Sequence, residues 1–380
     1  MRADCWYEPL EILNEVPKEW TIERRQVRDF DQALICGIIR ERKSKKIVEI
    51  GIAEGGTTAV IAKAVSMLEL DSRIYGVDLS RKLYYDDRYE SGCICSYFND
   101  KYGWDKMVSI LTGRTIAGQL ERIGKGIDLV FIDSAHVLPG ELLDFLAILP
   151  YLSKDAVVLV HDVSLNYLGI LEGTSDIIAV KKSVATKILL GTVCADKYTF
   201  LNDKDELINI GCFQITEDTY KNVRDIFWML SMTWEYMPEK SVLDEYHNII
   251  KLHYEKELLR IYNAVVSSNL FIHEKMLEET EKRQRYKVKD YVTGNNYRKI
   301  IVWGLGKRGK PLCDLLLENG VDIVAGIDQS VEEYKGIRVI KPYMEIPDCD
   351  LIILAFPRKG YEDFIHEIKS KRKCILLDDF

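Results

Sequence analysis

A glycine-rich turn between an apolar segment and a helix-forming segment constrains the fold of this 380-residue chain more than any other feature. The apolar run Lys46 to Ile50 ends at Gly51, two further glycines follow at Gly55 and Gly56, and a helix-compatible run begins at Thr57. Glycines let a backbone turn sharply and approach a ligand without a side chain in the way. The helix behind them presents free N–H groups to a polar ligand. The stretch therefore predicts a strand, a turn and a helix at the ligand-binding edge of an α/β sheet.

An acidic residue ends the next strand-like segment. That segment runs from Arg73 to Asp78, about one strand–helix–strand unit after the glycine turn. A carboxylate at this position can accept both ribose hydroxyls of a bound nucleoside. A solvated aspartate at a strand end is the alternative, but the order of the two motifs favours a nucleoside site.

Two continuous apolar runs, Ile127 to Asp133 and Ala156 to Asp162, are typical of parallel strands that are buried on both faces. A helix-forming segment lies between them, so the two terminal aspartates should emerge side by side at one edge of the sheet. Adjacent carboxylates repel unless a proton or a cation lies between them. Asp133 and Asp162 therefore predict a divalent cation, Mg²⁺ or Mn²⁺ by the preference of oxygen ligands. The alternative is that each aspartate merely caps a loop or the following helix.

Residues from about 22 to 217 resemble the class I methyltransferases that depend on S-adenosylmethionine (SAM). Within that class they resemble the catechol-type branch and the bacterial O-methyltransferases of cephalosporin and macrolide-sugar biosynthesis. The resemblance rests on Glu49 before the first glycine, on Asp78, and on the segments 131–136 and 160–162. It implies a seven-stranded Rossmann-like α/β sheet and a metal-assisted, SAM-dependent O-methyltransferase. The SAM-binding residues that it implies are Glu49, Gly51, Glu54, Gly55, Gly56, Thr57, Asp78, Thr112, Gly113, Arg114 and Asp133.

Two positions depart from the catechol-type pattern. His136 stands where that branch has a lysine, and Val163 stands where it has an asparagine ligand. A histidine can take a hydroxyl proton near neutral pH, so we predict that His136 is the general base beside Asp133. The third metal ligand stays open. His161 is a candidate, although the alternation of side chains along a strand could turn it away from Asp162. Histidines that only cap a loop or pack at a strand end are the alternative.

A second glycine motif lies near the C-terminus. A strand-like run, Lys299 to Trp303, leads into Gly304, Gly306 and Gly309, and a later run ends on Asp328. This is the G-x-G-x-x-G order of a dinucleotide site in its proper context. It predicts a second, small Rossmann-like α/β domain that holds a nucleotide or nucleotide sugar at these four residues. A packing module with no ligand is the alternative.

The patterns divide the chain into a methyltransferase domain with an N-terminal helix at 1–217, a helical connector at 218–297 and the small Rossmann-like domain at 298–380. The formal net charge of −8 argues against a nucleic-acid partner. The sequence has no bilayer-spanning apolar segment, no signal-peptide pattern and no zinc spacing among its nine cysteines. We therefore expect a cytoplasmic enzyme that acts on a hydroxyl of a small molecule or sugar. A homo-oligomer is compatible with the sequence.

Two other functions stay open at this point. An NAD(P)-dependent sugar-nucleotide oxidoreductase would use the motif from Gly304 to Gly309, although the small domain has no Tyr-x-x-x-Lys base. A non-catalytic SAM- or nucleotide-sensing protein would keep the binding residues and lack turnover.

Overall fold

The computed structural model describes residues 4–24, 26–167, 182–198 and 208–380. The chain forms two compact units, Met1–Leu270 and Phe271–Phe380. A helix of 39 residues, Lys256–Gly294, runs through the boundary between them. Among the helices of the described ranges, none has both the length and the apolar character needed to cross a membrane.

The first unit alternates strands and helices. Its strands are β1 (Lys46–Ile50), β2 (Arg73–Asp78), β3 (Val108–Thr112), β4 (Ile127–Ile132), β5 (Leu152–His161), β6 (Asp196–Tyr198) and β7 (Ile210–Gln214). Its helices are α1 (Asp29–Arg42), α2 (Gly56–Met67), α3 (Cys93–Tyr102), α4 (Ile116–Ile123), α5 (Gly140–Ile148), α6 (Val184–Thr192), α7 (Glu217–Lys221), α8 (Val223–Met229), α9 (Lys240–His253) and the start of α10 (Lys256–Gly294). Short 3-10 helices cover Glu8–Glu15 and Leu149–Tyr151.

The seven strands form one sheet in the order β3-β2-β1-β4-β5-β7-β6. The first five are parallel, and β7 runs antiparallel to both β5 and β6. The chain moves outward from β1 to β3 and then crosses to β4 on the other side of β1, so the strand order reverses there. Open α/β sheets bind ligands outside the carboxyl ends of the strands at such a reversal. The predicted seven-stranded Rossmann-like sheet is confirmed.

Helices cover both faces of this sheet because each central strand is apolar on both sides. In β5, Val158 and Val160 pack into the core beneath α4 and α5, whereas Val157 and Leu159 pack into the core beneath α1 and α2. Side chains alternate faces along a strand. His161 therefore shares the α1 face with Val157 and Leu159, and this decides which groups it meets.

The second unit contains a smaller sheet in the order β10-β11-β9-β8-β12-β13. Its elements are β8 (Lys299–Trp303), α11 (Gly309–Glu318), β9 (Asp322–Ile327), β10 (Glu333–Tyr334), β11 (Ile337–Ile340), β12 (Leu351–Leu354), α12 (Glu362–Lys371) and β13 (Cys374–Leu376). Strand β8 is buried on both faces, with Ile300 and Val302 in one core and Ile301 and Trp303 in the other. The predicted second α/β sheet is confirmed as an architecture.

Gly51 is the position in the glycine turn where a side chain would be most harmful. Its φ is +83°, and a Cβ atom there would lie 2.0 Å from the carbonyl oxygen of Asp133. Backbone strain and overpacking each cost about 1–3 kcal/mol. We expect Gly51→Ala to lower the free energy of unfolding by about 2–5 kcal/mol, measured by urea titration with circular dichroism. Gly191→Ala is the matched control, since a Cβ in that helix meets no atom within 4 Å. Equal effects of the two substitutions would contradict the prediction.

Candidate functional site

A cavity of about 990 Å³ lies at the carboxyl edge of the seven-stranded sheet. Most of the predicted site residues line it: Glu49, Gly51, Glu54, Thr57, Asp78, Gly113, Asp133, His136, His161 and Asp162. Gly55, Gly56, Thr112 and Arg114 are not among the described residues that line it. Gly55 and Gly56 instead permit close packing. A Cβ on Gly55 would lie 2.9 Å from the Cα of Gly92, and a Cβ on Gly56 would lie 2.8 Å from the carbonyl oxygen of Arg24.

Asp78 ties the end of β2 to the glycine turn. One carboxylate oxygen accepts the N–H groups of Ile52 and Ala53, each at 3.1 Å, and the other accepts the N–H of Ser80 at 2.8 Å. Burial raises the pKa of Asp78 above its ordinary value, against the effect of these hydrogen bonds. The turn is thus held in place by the carboxylate that was predicted to meet the ribose.

Two buried glutamates flank the turn. Glu49 accepts a hydrogen bond from Thr58 Oγ1 at 2.5 Å, and burial raises its pKa well above the ordinary value. Glu54 lines the cavity with only 3 % of its surface exposed, and its Oε2 has no hydrogen-bond partner. Burial, followed by the nearby charges of Glu23 and Asp133, raises the pKa of Glu54 to about 8. An unpartnered carboxylate oxygen facing a cavity suits a cationic or N–H ligand group.

The loop after β3 is anchored to a helix from a distant part of the chain. The Arg114 guanidinium pairs with Glu245 at 2.6 Å, and Thr115 donates its N–H and its hydroxyl to the same carboxylate. Arg114 is therefore engaged within the protein. Gly113 lines the cavity with a φ of +83°.

Three side chains at the ends of β4 and β5 form a compact donor set. One ligand atom from each of Asp133, His136 and Asp162 lies within 4.8 Å of the other two. His136 and Asp162 both have positive φ, at 62° and 57°, a strained conformation that clusters at functional sites. His136 Nδ1 is buried without a hydrogen bond, although Asp162 Oδ2 is 3.3 Å away. Two carboxylates and an orphaned imidazole nitrogen fit a divalent cation such as Mg²⁺ or Mn²⁺.

His161 lies behind this set with a carboxylate near each ring nitrogen, although its Nε2 is buried without a hydrogen bond. Nδ1 is 3.1 Å from Asp133 Oδ1, and Nε2 is 3.4 Å from Asp31 Oδ2 in α1. Burial opposes its charge, but the surrounding carboxylates raise the pKa of His161 well above its ordinary value. Burial likewise opposes ionisation of Asp133, but His161 and His136 hold its pKa below the ordinary value. The geometry therefore favours His136 over His161 as the third ligand, and the assignment of His161 stays a prediction.

Supporting residues come from segments that the sequence reasoning did not connect to the site. Asn209 donates its side-chain amide to Asp162 Oδ1 at 2.6 Å, and the fully buried Glu141 accepts the backbone N–H of His136. Asp31 pairs with His161 as described above. These acids belong to helix-forming segments of the sequence, but no local pattern says which strand they meet.

The second unit repeats the arrangement of strand, glycine turn and acid. Asp328 accepts the N–H of Leu305 in the turn at 2.7 Å, and Gly304 has a φ of +95°. A Cβ at Gly309 would lie 1.9 Å from the Gly304 carbonyl, whereas one at Gly306 would face open space. The four predicted residues thus surround one turn.

Residues 48–163 match the model of a protein family that is described as a methyltransferase domain. The first unit contains a methyltransferase domain. The matched segment of this methyltransferase domain runs from β1 to the residue after Asp162, and so includes the glycine turn and the donor set. This match and the seven-stranded sheet confirm the prediction of a methyltransferase domain with the class I fold.

Solved structures similar to the methyltransferase domain share few identical residues with it. The O-methyltransferase TomG from Streptomyces achromogenes, involved in tomaymycin synthesis and bound to SAM, is 22 % identical, with 55 % of this chain and 90 % of that chain covered and a TM-score of 0.39. An O-methyltransferase from Bacillus cereus in complex with SAH is 15 % identical, with the same coverage and TM-score. The MycE methyltransferase of mycinamycin biosynthesis, in complex with Mg, SAH and mycinamycin VI, is 16 % identical, with 57 % and 56 % covered and a TM-score of 0.35. No curated protein sequence matches this chain.

Proposed function

We propose that this protein transfers the methyl group of SAM to a hydroxyl of a small molecule or sugar, with a divalent cation at the carboxylates of Asp133 and Asp162, beside His136. The observation that carries the proposal is that this donor set and the glycine turn with Asp78 line one cavity. When bound, SAM supplies an electrophilic methyl group, and the cation lowers the pKa of the acceptor hydroxyl.

The residues of the glycine turn would hold the cofactor by its polar groups. The carboxylate of Asp78 would accept a ribose hydroxyl at the lone pair of Oδ1 that has no backbone donor, in keeping with its place at the end of β2. The Oε2 atom of Glu54, which has no hydrogen-bond partner, would accept a hydrogen bond from the ammonium group of the methionine moiety. Thr57 Oγ1 accepts a hydrogen bond from the side-chain amide of Gln32 at 3.3 Å. Thr57 lies at the N-terminus of α2, where the carboxylate of the methionine moiety would be favoured.

His136 would take the proton from the acceptor hydroxyl while the two carboxylates hold the cation, since an imidazole nitrogen that binds a metal cannot also accept a proton. It is close to both carboxylates of the donor set, and Glu141 fixes its backbone. Methyl transfer is an in-line displacement, so the main task of the protein is to hold nucleophile and methyl group in attack geometry. No covalent enzyme intermediate is required.

The proposal is tested by methyl transfer from radiolabelled SAM to a panel of polyhydroxylated acceptors, with and without EDTA. We expect labelled oxygen-methyl product, loss of at least about 90 % of turnover in EDTA, and recovery on addition of excess Mg²⁺ or Mn²⁺. SAH binding should persist in EDTA, since the glycine turn and Asp78 do not belong to the donor set. Turnover that is insensitive to EDTA would remove the cation from the proposal, and no turnover on any acceptor would favour the non-catalytic sensor.

Glu54 should make cofactor affinity depend on pH. With its pKa raised to about 8, Glu54 is mostly protonated at neutral pH and ionised above that value. The negative charges of Glu23, Asp133 and Glu49 around Glu54 disfavour its ionised form. A hydrogen bond from Tyr85 lowers its pKa. A ligand ammonium favours the ionised form, so SAH affinity should rise by up to about tenfold between about pH 6.5 and pH 8.5. Calorimetry should show that Glu54→Gln removes this slope. An unchanged slope in the variant would contradict the assignment.

The acceptor class rests on aromatic side chains at the cavity. Tyr84 lines it with 78 % of its surface exposed, and its ring meets Tyr85 edge-on at 4.9 Å between centroids. Exposed aromatic faces suit sugar rings or other flat ligands. A sugar or glycan hydroxyl is therefore the first acceptor to try.

For the second unit we propose a nucleotide or nucleotide-sugar site at Gly304, Gly306, Gly309 and Asp328. Open space at Gly306 favours close approach of a phosphate to the backbone. Arg308 would not contribute, since it pairs with Asp378 and Glu281. Equilibrium dialysis with NADH and with UDP-sugars tests the site. Tight NADH binding with hydride transfer to a sugar nucleotide would favour the oxidoreductase alternative instead.

A further inference from the structure

The loop after β12 lies against the glycine turn of the second unit. Strands β8 and β12 are parallel neighbours, so the turn that follows β8 and the loop that follows β12 leave the sheet at the same edge. A Cβ at Gly304 would lie 3.3 Å from the ring of Phe356, and a Cβ at Gly309 would lie 3.4 Å from the Cβ of Ala355. Arg358 follows two residues after Phe356, so its backbone lies beside the turn.

A short acidic segment joins this loop to the turn. The segment is the 3-10 helix Leu377–Asp379, which follows β13. Asp378 accepts a hydrogen bond from the guanidinium of Arg308 in the turn and, through Oδ2, one from the backbone N–H of Arg358 at 2.8 Å. The guanidinium of Arg358 pairs with the next acid, Asp379. Two carboxylates of the chain itself therefore lie next to the turn at which the proposed ligand would place its phosphates.

The two aspartates differ in how firmly they are held. Asp378 bridges two loops, and its partner Arg308 is largely buried. Asp379 pairs with the side chain of Arg358, which is 57 % exposed, and an exposed ion pair contributes little to stability. Asp379 also has a second cationic partner, because Nζ of Lys369 lies 3.0 Å from its Oδ2. Asp379 can therefore lose Arg358 and still have its charge balanced.

The guanidinium of Arg358 suits a phosphate group better than a lone carboxylate. Its planar fork forms two parallel hydrogen bonds with phosphate oxygens, and a diphosphate carries more negative charge than one carboxylate. Lys307 is exposed in the glycine turn itself, and open space at Gly306 lets a phosphate approach the backbone. One cation in the turn and one in the loop after β12 fit a ligand with two adjacent phosphates.

We propose that Asp379 is an internal competitor at this site: its carboxylate holds Arg358, and the diphosphate group of a nucleoside diphosphate or nucleotide sugar takes over that arginine when it binds at the glycine turn. The inference rests on the nucleotide site proposed for the second unit and adds Arg358 to its ligand contacts. Asp379 keeps Lys369 as its partner after the exchange. Asp378 is a positioning residue, because it holds the turn and the loop together. Competition of this kind weakens the affinity and so sets the ligand concentration at which the unit fills.

Calorimetric titration of the full-length protein with UDP, UDP-glucose and inorganic pyrophosphate tests the exchange. A hydrogen bond to a charged group contributes enough that Arg358→Gln should weaken binding about 10–100-fold. Asp379→Asn removes the competing charge and keeps the size of the side chain, so it should tighten binding about 3–5-fold. Asp322→Asn, at an exposed acid that begins β9 at the opposite edge of the sheet, is the control and should change nothing.

The double variant Asp379→Asn/Arg358→Gln separates competition from simple repulsion between Asp379 and the ligand. Competition acts through Arg358, so Asp379→Asn should give no gain in affinity once Arg358 is replaced. A gain that persists in the double variant would overturn the exchange. Tighter binding of UDP or UDP-glucose than of pyrophosphate would assign the site to a nucleotide, as proposed. Equal affinities would leave a site for inorganic diphosphate and contradict the ligand class.

The remaining outcomes distinguish this inference from the site on which it rests. If neither wild type nor Asp379→Asn binds any of the three compounds, the nucleotide site proposed for the second unit fails. If wild type binds them and Asp379→Asn leaves the affinity unchanged, the exchange is wrong and the site at the glycine turn stands. If Arg358→Gln binds as tightly as wild type, Arg358 does not contact the ligand, and the exchange is again wrong.

Discussion

His136→Ala is expected to lower kcat by about 10²–10⁴-fold, which is the usual contribution of a positioned general base. The variant loses the proton acceptor and keeps the carboxylates of Asp133 and Asp162 that would hold the cation. The cofactor side should be little affected, because the glycine turn is held by Asp78 and not by His136. We therefore expect SAH affinity to stay within about threefold of wild type. Initial rates at saturating SAM, together with calorimetry, measure both quantities.

A histidine elsewhere in the same unit controls for nonspecific effects. His247 is half-buried and its ring lies 3.1 Å from the side-chain oxygen of Asn263, outside the cavity. His247→Ala should leave turnover unchanged. The base assignment fails if His136→Ala keeps more than about a tenth of wild-type turnover, or if excess Mn²⁺ fully restores it, since a ligand role alone would then suffice.

Asp78→Ala is expected to weaken SAH binding by about 10–10²-fold. One lone pair of Asp78 Oδ1 is free of backbone donors, and a hydrogen bond from a ribose hydroxyl to it contributes about 1.5–3 kcal/mol, where every 1.4 kcal/mol is tenfold. The same change removes the acceptor for the N–H groups of Ile52 and Ala53, so the turn itself becomes less ordered. The lost ribose contact and the less ordered turn both weaken SAH binding. Calorimetric titration of SAH gives the affinity directly.

Asp78→Asn and Asp71→Asn make the comparison specific. Asp71 is an exposed acid before the other end of β2, so its loss should not change SAH affinity. Asp78→Asn keeps an oxygen for the turn and should fall between wild type and alanine. SAH affinity that is unchanged in Asp78→Ala would remove the nucleoside site from this edge of the sheet.

Sequence alone predicted the parts of the site that lie on neighbouring strands. Apolar runs fixed β4 and β5, one helix between them made the strands parallel, and the register pairs Ile132 with Val160. The aspartates that follow therefore had to be close. The same logic located Asp78 beside the glycine turn. These predictions depend only on the geometry of parallel strands, which leaves little freedom.

Contacts between distant segments could not be predicted in this way. Glu245 lies 131 positions after Arg114, and Asn209 lies 47 positions after Asp162. The role of His161 could not be decided from the sequence. The alternation of side chains along β5 gives the face of the sheet on which His161 lies, but it does not predict that Asp31 of α1 lies on that face. Which helix packs on which face depends on the whole core, and a periodic pattern does not encode it.

The Asp31–His161–Asp133 arrangement limits how the catalytic core could be transplanted. Residues 48–163 would carry His161 and Asp133 into a new scaffold but leave Asp31 behind in α1. The imidazolium would then be buried with one nitrogen facing no carboxylate, a costly state for a charge in a dry interior. Asn209, which steadies Asp162, would be lost as well. A portable version of the donor set with its supporting residues therefore extends from α1 to Asn209, well beyond the segment that the family model matches.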